Sequence, residues 1–345
     1  MYICVIMKKL LLFTLVIAFA ATSCTTPLRF VVGTYGDEIY TLEYADGAFT
    51  VIDSTAAVNA SYLAFDSDGR MFGVCENDPV SGLYAFDTGE GAPYFCTSDA
   101  LSPCHLLCPE GTPYIFTADY GSGSITVYRK LDDGTVRQTQ SVRYPEGSRI
   151  HQLTPIPGTS SMLATDLGLC CIHILDIGDG DEPLTDRPEL AVPCAGGPRH
   201  IVFDGERRFW CLSELSGEIA GFDISIEDGE LHLSELFRVM ADPNDAHGSA
   251  DIRILGRTLY ASHRLSGDGI SYWKIRENGT LEPLGYLSTG AHPRCIVILD
   301  GILFAACRDS STVEAYSLDP ATGEPGPLLA SIHLSSHPVC LLPRK

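Results

Sequence analysis

Arginines, a glutamate and several histidines of this chain fall at matching points of a repeated sequence pattern. Ser61, His105, His151, Arg199 with His200, Asp251 and Arg294 each stand where an apolar, strand-length run begins. Asn77, Asp119, Asp166, Glu214, Arg264 and Arg308 each stand where the following run ends. Corners of a repeat need polar groups to satisfy backbone N–H and C=O. That need does not explain guanidinium, carboxylate and imidazole groups all converging on one place. Arginine presents a rigid fork of donors that suits a carboxylate, a phosphate or a developing oxyanion. A glutamate or histidine beside it can take up or return a proton. Any one of these residues alone could cap a strand or hold a structural ion pair. Together they point to a polar site of mixed charge.

The elements that must bring them together repeat along the chain. Each copy has an apolar strand, a turn of Gly, Asp or Pro, a second strand that breaks at a polar pair, and a third strand of alternating apolar residues. Copies run Leu63 to Asp87, His105 to Arg129, His151 to Ile177, His200 to Ile224, Asp251 to Ile275 and Cys295 to Leu318, with starts 42 to 51 residues apart. A seventh copy is divided between the chain ends. Val339-Cys340-Leu341-Leu342 supplies its first strand and Phe30 to Tyr44 the rest. An all-strand repeat of roughly 40–50 residues predicts an all-β fold, a β-propeller. The divided copy predicts seven blades, closed by pairing of the N- and C-terminal strands. In such a ring each innermost strand starts on the face where the next strand ends, so both groups of polar residues gather at one mouth. The 33 glycines and 21 prolines supply turns, and no linker separates the repeats. Cutting a closed ring would expose strand edges, so residues 25–345 are expected to form a single domain.

Residues 1–24 stand apart. Lys8 and Lys9 precede the apolar run Leu10 to Ala21, which ends in Ala21-Thr22-Ser23-Cys24. This is the pattern of an export signal, with a lipid expected on Cys24 after cleavage; the run is short for a membrane span. The expected product is a monomer held at the cell envelope, touching the membrane only through its lipid. Loss of Lys8 and Lys9 moves the net charge from -21 to -23, which repels phosphate backbones and argues against nucleic acid as a partner. Thirteen cysteines are many for an exported chain. Cys104 with Cys108 and Cys170 with Cys171 have no companion cluster at zinc spacing, so no metal or cofactor is expected. No G-x-S-x-G, H-E-x-x-H or P-loop run occurs. Asp66-Ser67-Asp68-Gly69 and Asp179-Gly180-Asp181 read as turns, not complete calcium loops.

Several runs carry a resemblance. Thr165-Asp166-Leu167-Gly168, Gly196-Gly197-Pro198-Arg199-His200, Ser213-Glu214-Leu215, Gly248-Ser249-Ala250-Asp251-Ile252 and His292-Pro293-Arg294 resemble the lactonase family of seven-bladed propellers. That family includes propeller-type 6-phosphogluconolactonases and the fungal carboxy-muconate cyclase. The resemblance covers nearly all of the chain after residue 24. It implies a catalytic set of His151, Arg199, Glu214 and Arg264; of the other corner residues, His105, Asp166, His200 and Arg294 are expected to bind substrate around it. In this reading the arginines hold a lactone carbonyl or a substrate carboxylate, and Glu214 or His151 activates water. Arg149-Ile150-His151 replaces a pattern that usually holds two histidines. Ser213, His263 and Cys307 stand where the family commonly has asparagine, and Leu169-Cys170-Cys171 replaces a more polar turn. The expected activity is metal-independent opening of a sugar lactone, with a small-molecule lactone or acidic sugar as partner. The alternatives are a cyclase-like enzyme acting on a carboxylate-bearing ring, or a non-catalytic envelope propeller presenting its rim to a protein or glycan.

Overall fold

Strand after strand in this chain is apolar on both faces near the middle of its repeat and polar at the outer edge, and that gradient dictates the architecture. Tyr114–Asp119 is buried at every position, whereas Ala48–Ala56 is exposed at most. A sheet with such a gradient must be covered on both faces by neighbouring sheets and leave only its last strand to solvent. A computed structural model of the chain describes residues 26–86, 91–205, 207–228, 230–244 and 247–344. The export signal at 1–24 and the lipidation site Cys24 lie outside the described residues.

Seven antiparallel sheets form the ring. Blades one to six take residues 60–97, 103–143, 150–193, 198–240, 252–288 and 293–333. The seventh takes its innermost strand from His337–Arg344 and its other three from Leu28–Tyr35, Glu38–Ala45 and Ala48–Ala56. Val31 pairs with Leu342 and Val32 with Leu341, so the two chain ends close the ring as expected. The core lies between blades, not within one. Seven buried apolar clusters fill the seven blade-to-blade contacts. At the closing contact, Phe30 of blade seven meets Phe304 of blade six with ring centroids 4.6 Å apart. Every blade is thus packed on both sides, and the inner strands are held at the axis with their ends at a common mouth.

Candidate active site

One irregularity recurs where the innermost strands begin. The ladder between the first and second strands skips a residue between Ala60 and Tyr62, Pro103 and His105, Ile150 and Gln152, Pro198 and His200, and Pro293 and Cys295. The skipped residues are Ser61, Cys104, His151, Arg199 and Arg294. A bulge leaves its extra residue outside the ladder and re-aims that side chain. Here the same bulge, repeated around the axis, carries His151, Arg199 and Arg294 to the mouth. The second strands contribute from their far ends. Side chains alternate faces along a strand, so the last residue of each turns into the blade and the next turns toward the axis. The pairs are Cys75 and Glu76, Asp119 and Tyr120, Asp166 and Leu167, Ser213 and Glu214, His263 and Arg264, and Cys307 and Arg308; the first member of each is buried.

At the centre, two guanidinium groups share one carboxylate oxygen. Arg199 Nε lies 2.8 Å and Arg264 Nη2 3.1 Å from Glu214 Oε2. Both arginines are fixed from behind by one short segment. Arg199 Nη1 donates to the Ala250 carbonyl, Arg264 Nε donates to the Gly248 carbonyl at 2.6 Å, and Arg264 Nη2 donates to the Ser249 carbonyl at 3.2 Å. The Gly248-Ser249-Ala250 run is therefore a row of backbone acceptors for both forks. His200 places Nε2 3.1 Å from Arg199 Nη1 and Nδ1 2.9 Å from Asp251 Oδ1. Asp251 is in turn held by the Ile252 and Ile296 amides and by Arg253 at 2.8 Å. The result is a preorganised chain of charges in which Glu214 is more exposed than either arginine that holds it.

Burial and charge set the protonation states. Burial pushes the Glu214 carboxyl up, but Arg199, Arg264 and Arg294 outweigh it and hold the group below its ordinary value. Burial, then Arg199 and its basic neighbours, keep His151 well below the usual imidazole range, so its ring is neutral. His151 is buried, and no group among the described residues hydrogen-bonds its Nδ1. Burial together with Arg199 lowers Arg264, against the pull of Glu214. The arrangement can therefore offer cationic donors, a fixed anion and a neutral ring nitrogen to a single ligand.

The expected site residues divide. His151, Arg199, Glu214, Arg264 and Arg294 meet at the mouth, with Arg294 over the Tyr35 ring at 5.2 Å. His200 stands behind Arg199, with both ring nitrogens engaged. His105 is deeper still, packed 4.3 Å from the Tyr62 ring and lowered by burial and Arg253 to about 3. Asp166 does not join the mouth. It is fully buried inside blade three, where its carboxylate accepts from Ser148 Oγ and the Arg149 and Leu169 amides. The reason is register: Asp166 matches Ser213 and His263, the blade-facing positions, and a shift of one residue along a strand reverses the face. Asp119 is turned inward in the same way, and Glu76, not Asn77, is the axis-facing residue of blade one. Tyr35, Glu76, Tyr120 and His292 were missed. His292 lies in the turn before the sixth blade's first strand, and its Nε2 sits 3.2 Å from Arg264 Nη1. Aligning the repeats on the residue after the polar corner would have found Tyr35, Glu76 and Tyr120; nothing in the repeat marks His292.

The sequence model of the family described as "Lactonase, 7-bladed beta-propeller" matches residues 29–343. The chain belongs to this family. It is 27% identical over 308 residues to a 6-phosphogluconolactonase of Bacillus subtilis, covering 82% of this chain and 86% of that protein. A crystal structure from Bacteroides fragilis, of a protein provisionally named 6-phosphogluconolactonase, superposes with a TM-score of 0.83 at 30% identity, covering 94% of this chain and 99% of the other. The periplasmic gluconolactonase PpgL of Pseudomonas aeruginosa shares the fold, with a TM-score of 0.81 at 23% identity over 92% of this chain and 99% of its own. For this lactonase-family propeller, the relatives support a lactonase-type hydrolase.

Proposed function

We propose that the chain hydrolyses a sugar lactone at the mouth formed by His151, Arg199, Glu214 and Arg264, without a metal ion. The observation that carries this reading is the pair of buried guanidiniums on one oxygen of Glu214, next to a neutral His151 whose Nδ1 is unengaged. The lactone carbonyl oxygen sits against Arg199 and Arg264, which stabilise it as it becomes an oxyanion. Water attacks the carbonyl carbon while His151 Nδ1 takes one of its protons. When the tetrahedral centre collapses, the ring C–O bond breaks and the leaving alkoxide recovers that proton from the imidazolium. The product is a hydroxy acid, whose carboxylate is held by Arg294. Glu214 stays ionised and keeps the two guanidiniums in place. The names of the relatives add the substrate class, gluconolactone or its 6-phosphate. The pattern around Cys24 favours an exported, lipid-anchored protein, which would meet the unphosphorylated ring.

The test is a pH-stat panel of glucono-, galactono- and phosphorylated lactones, run on the purified protein with EDTA. Acid release above the spontaneous rate, insensitive to EDTA and lost in Glu214→Gln, is the expected result. No acceleration on any ring would overturn the assignment and favour a propeller that binds a protein or glycan at its rim.

A further inference from the structure

The buried Asp166 belongs to a second cluster, one strand outward from the axis. In blade three, Asp166 closes Ser161–Asp166 and stands opposite Cys171, the first residue of Cys171–Ile177. His173, two residues on, points from the same face of that strand. Cys171 Sγ lies 3.4 Å from His173 Nε2, and His173 Nε2 lies 3.3 Å from Asp166 Oδ2. The three donor atoms all fall within 4.8 Å of one another.

Both neighbours address the same ring nitrogen, and that decides between two chemistries. In a Cys–His–Asp nucleophile relay the carboxylate holds one imidazole nitrogen while the thiol uses the other. A single Nε2 cannot donate to Asp166 and accept from the thiol at the same time. Converging lone pairs from sulfur, nitrogen and oxygen are instead the donor set of a borderline-soft divalent ion. Tetrahedral zinc, with bonds of about 2.0–2.3 Å, sets neighbouring ligand atoms about 3.3–3.6 Å apart, close to the two spacings seen here.

We propose that Asp166, Cys171 and His173 bind a zinc ion, with solvent as the fourth ligand. The surroundings are those of a supported metal site. The Tyr144 ring packs 4.2 Å from the His173 ring and fixes its plane, while Tyr144 Oη reaches Asp186 Oδ1 at 3.3 Å. Asp166 is oriented through its other oxygen by the Arg149 and Leu169 amides. Zinc binding displaces the thiol proton and gives the buried carboxylate its counter-charge. Asp166 and His173 are buried within blade three, so the site lies apart from the proposed lactone-opening mouth.

The test reads metal and not lactone hydrolysis, so it stands or falls apart from the proposed activity. The purified protein is equilibrated with Zn2+, desalted and assayed for bound metal, then loaded with Co2+ and examined for thiolate-to-cobalt absorption. One zinc per chain and a cobalt–thiolate band are expected. Cys171→Ser should abolish the band, and His173→Gln should weaken zinc binding by more than the roughly 10–100-fold typical of losing a second-shell partner. Cys108→Ser, a change at a remote half-buried thiol, should leave both intact. Substoichiometric zinc in the parent protein, or a band that survives Cys171→Ser, would overturn the assignment. If Cys171→Ser fails to fold, His173→Gln with its thiol intact decides the matter.

Discussion

Blades two and three and blades four and five end their second strands with the same kind of residue pair, but one step out of phase. In blades two and three the charge comes first, at Asp119 and Asp166, and turns into the blade. In blades four and five it comes second, at Glu214 and Arg264, and turns toward the axis. The consequences differ completely. Asp119 is buried and accepts from the hydroxyls of Thr117, Ser124 and Thr126; it satisfies its own sheet. Glu214 pairs with Arg199 of its own blade and, across the blade boundary, with Arg264. A charge on the blade-facing position serves the fold, and the same charge one residue later serves the mouth.

The largest effect that would break this comparison lies at His151. If its unengaged Nδ1 moves the proton, His151→Gln should cut kcat by about 10²–10⁴-fold while KM and the thermal midpoint hold. A change in KM alone would make it a binding residue. Next comes Arg264→Ala, which removes one oxyanion donor and should cost about 10²–10³-fold in kcat/KM with the fold intact. Unchanged kinetics would take Arg264 out of the site. The pH profile of the parent protein should show no alkaline loss from the arginines, because a guanidinium paired with Glu214 keeps its charge. On the acid side the profile should stay flat around neutrality, because His151 protonates only well below the usual imidazole range.

The smallest effect sharpens the other half. Burial, against the three hydroxyl donors, raises Asp119 to about 7. A carboxyl raised on folding binds its proton more tightly in the native state, so stability falls as the pH climbs from about 4 to about 7. Buried neutral histidines such as His105 and His151 pull the other way in parent and variant alike, so the difference decides: in urea unfolding, the stability of the parent relative to Asp119→Asn should fall across that window. A difference that stays constant or rises with pH would mean that the hydroxyls overcome burial.

Much of the architecture was open to reading before any coordinates. Leu63, His105, His151, His200, Asp251 and Cys295 mark a period that only a ring of blades explains, and Val339 to Leu342 could complete only the blade begun by Phe30. The polar corners were visible too, since Arg199, Glu214 and Arg264 interrupt runs that are otherwise apolar. What escaped was orientation. Asp166 and Glu214 look equivalent in the sequence, yet they face opposite ways. Tyr35 reaches Arg294 only because the chain ends meet. Cys170 and Cys171 drew attention as a pair, but only Cys171 joins Asp166 and His173, through a cross-strand pairing that linear spacing does not reveal.

The sequence by itself determined seven blades, their order and the closing strand, because strand alternation and turn residues are local signals that repeat. The tertiary structure alone decided which polar residue of each corner faces the axis and which faces the sheet. That choice turns on a bulge of one residue and on the neighbouring blade, and a side chain's partner across a blade boundary lies some fifty residues away in the chain, as Arg199 and the Ala250 carbonyl do.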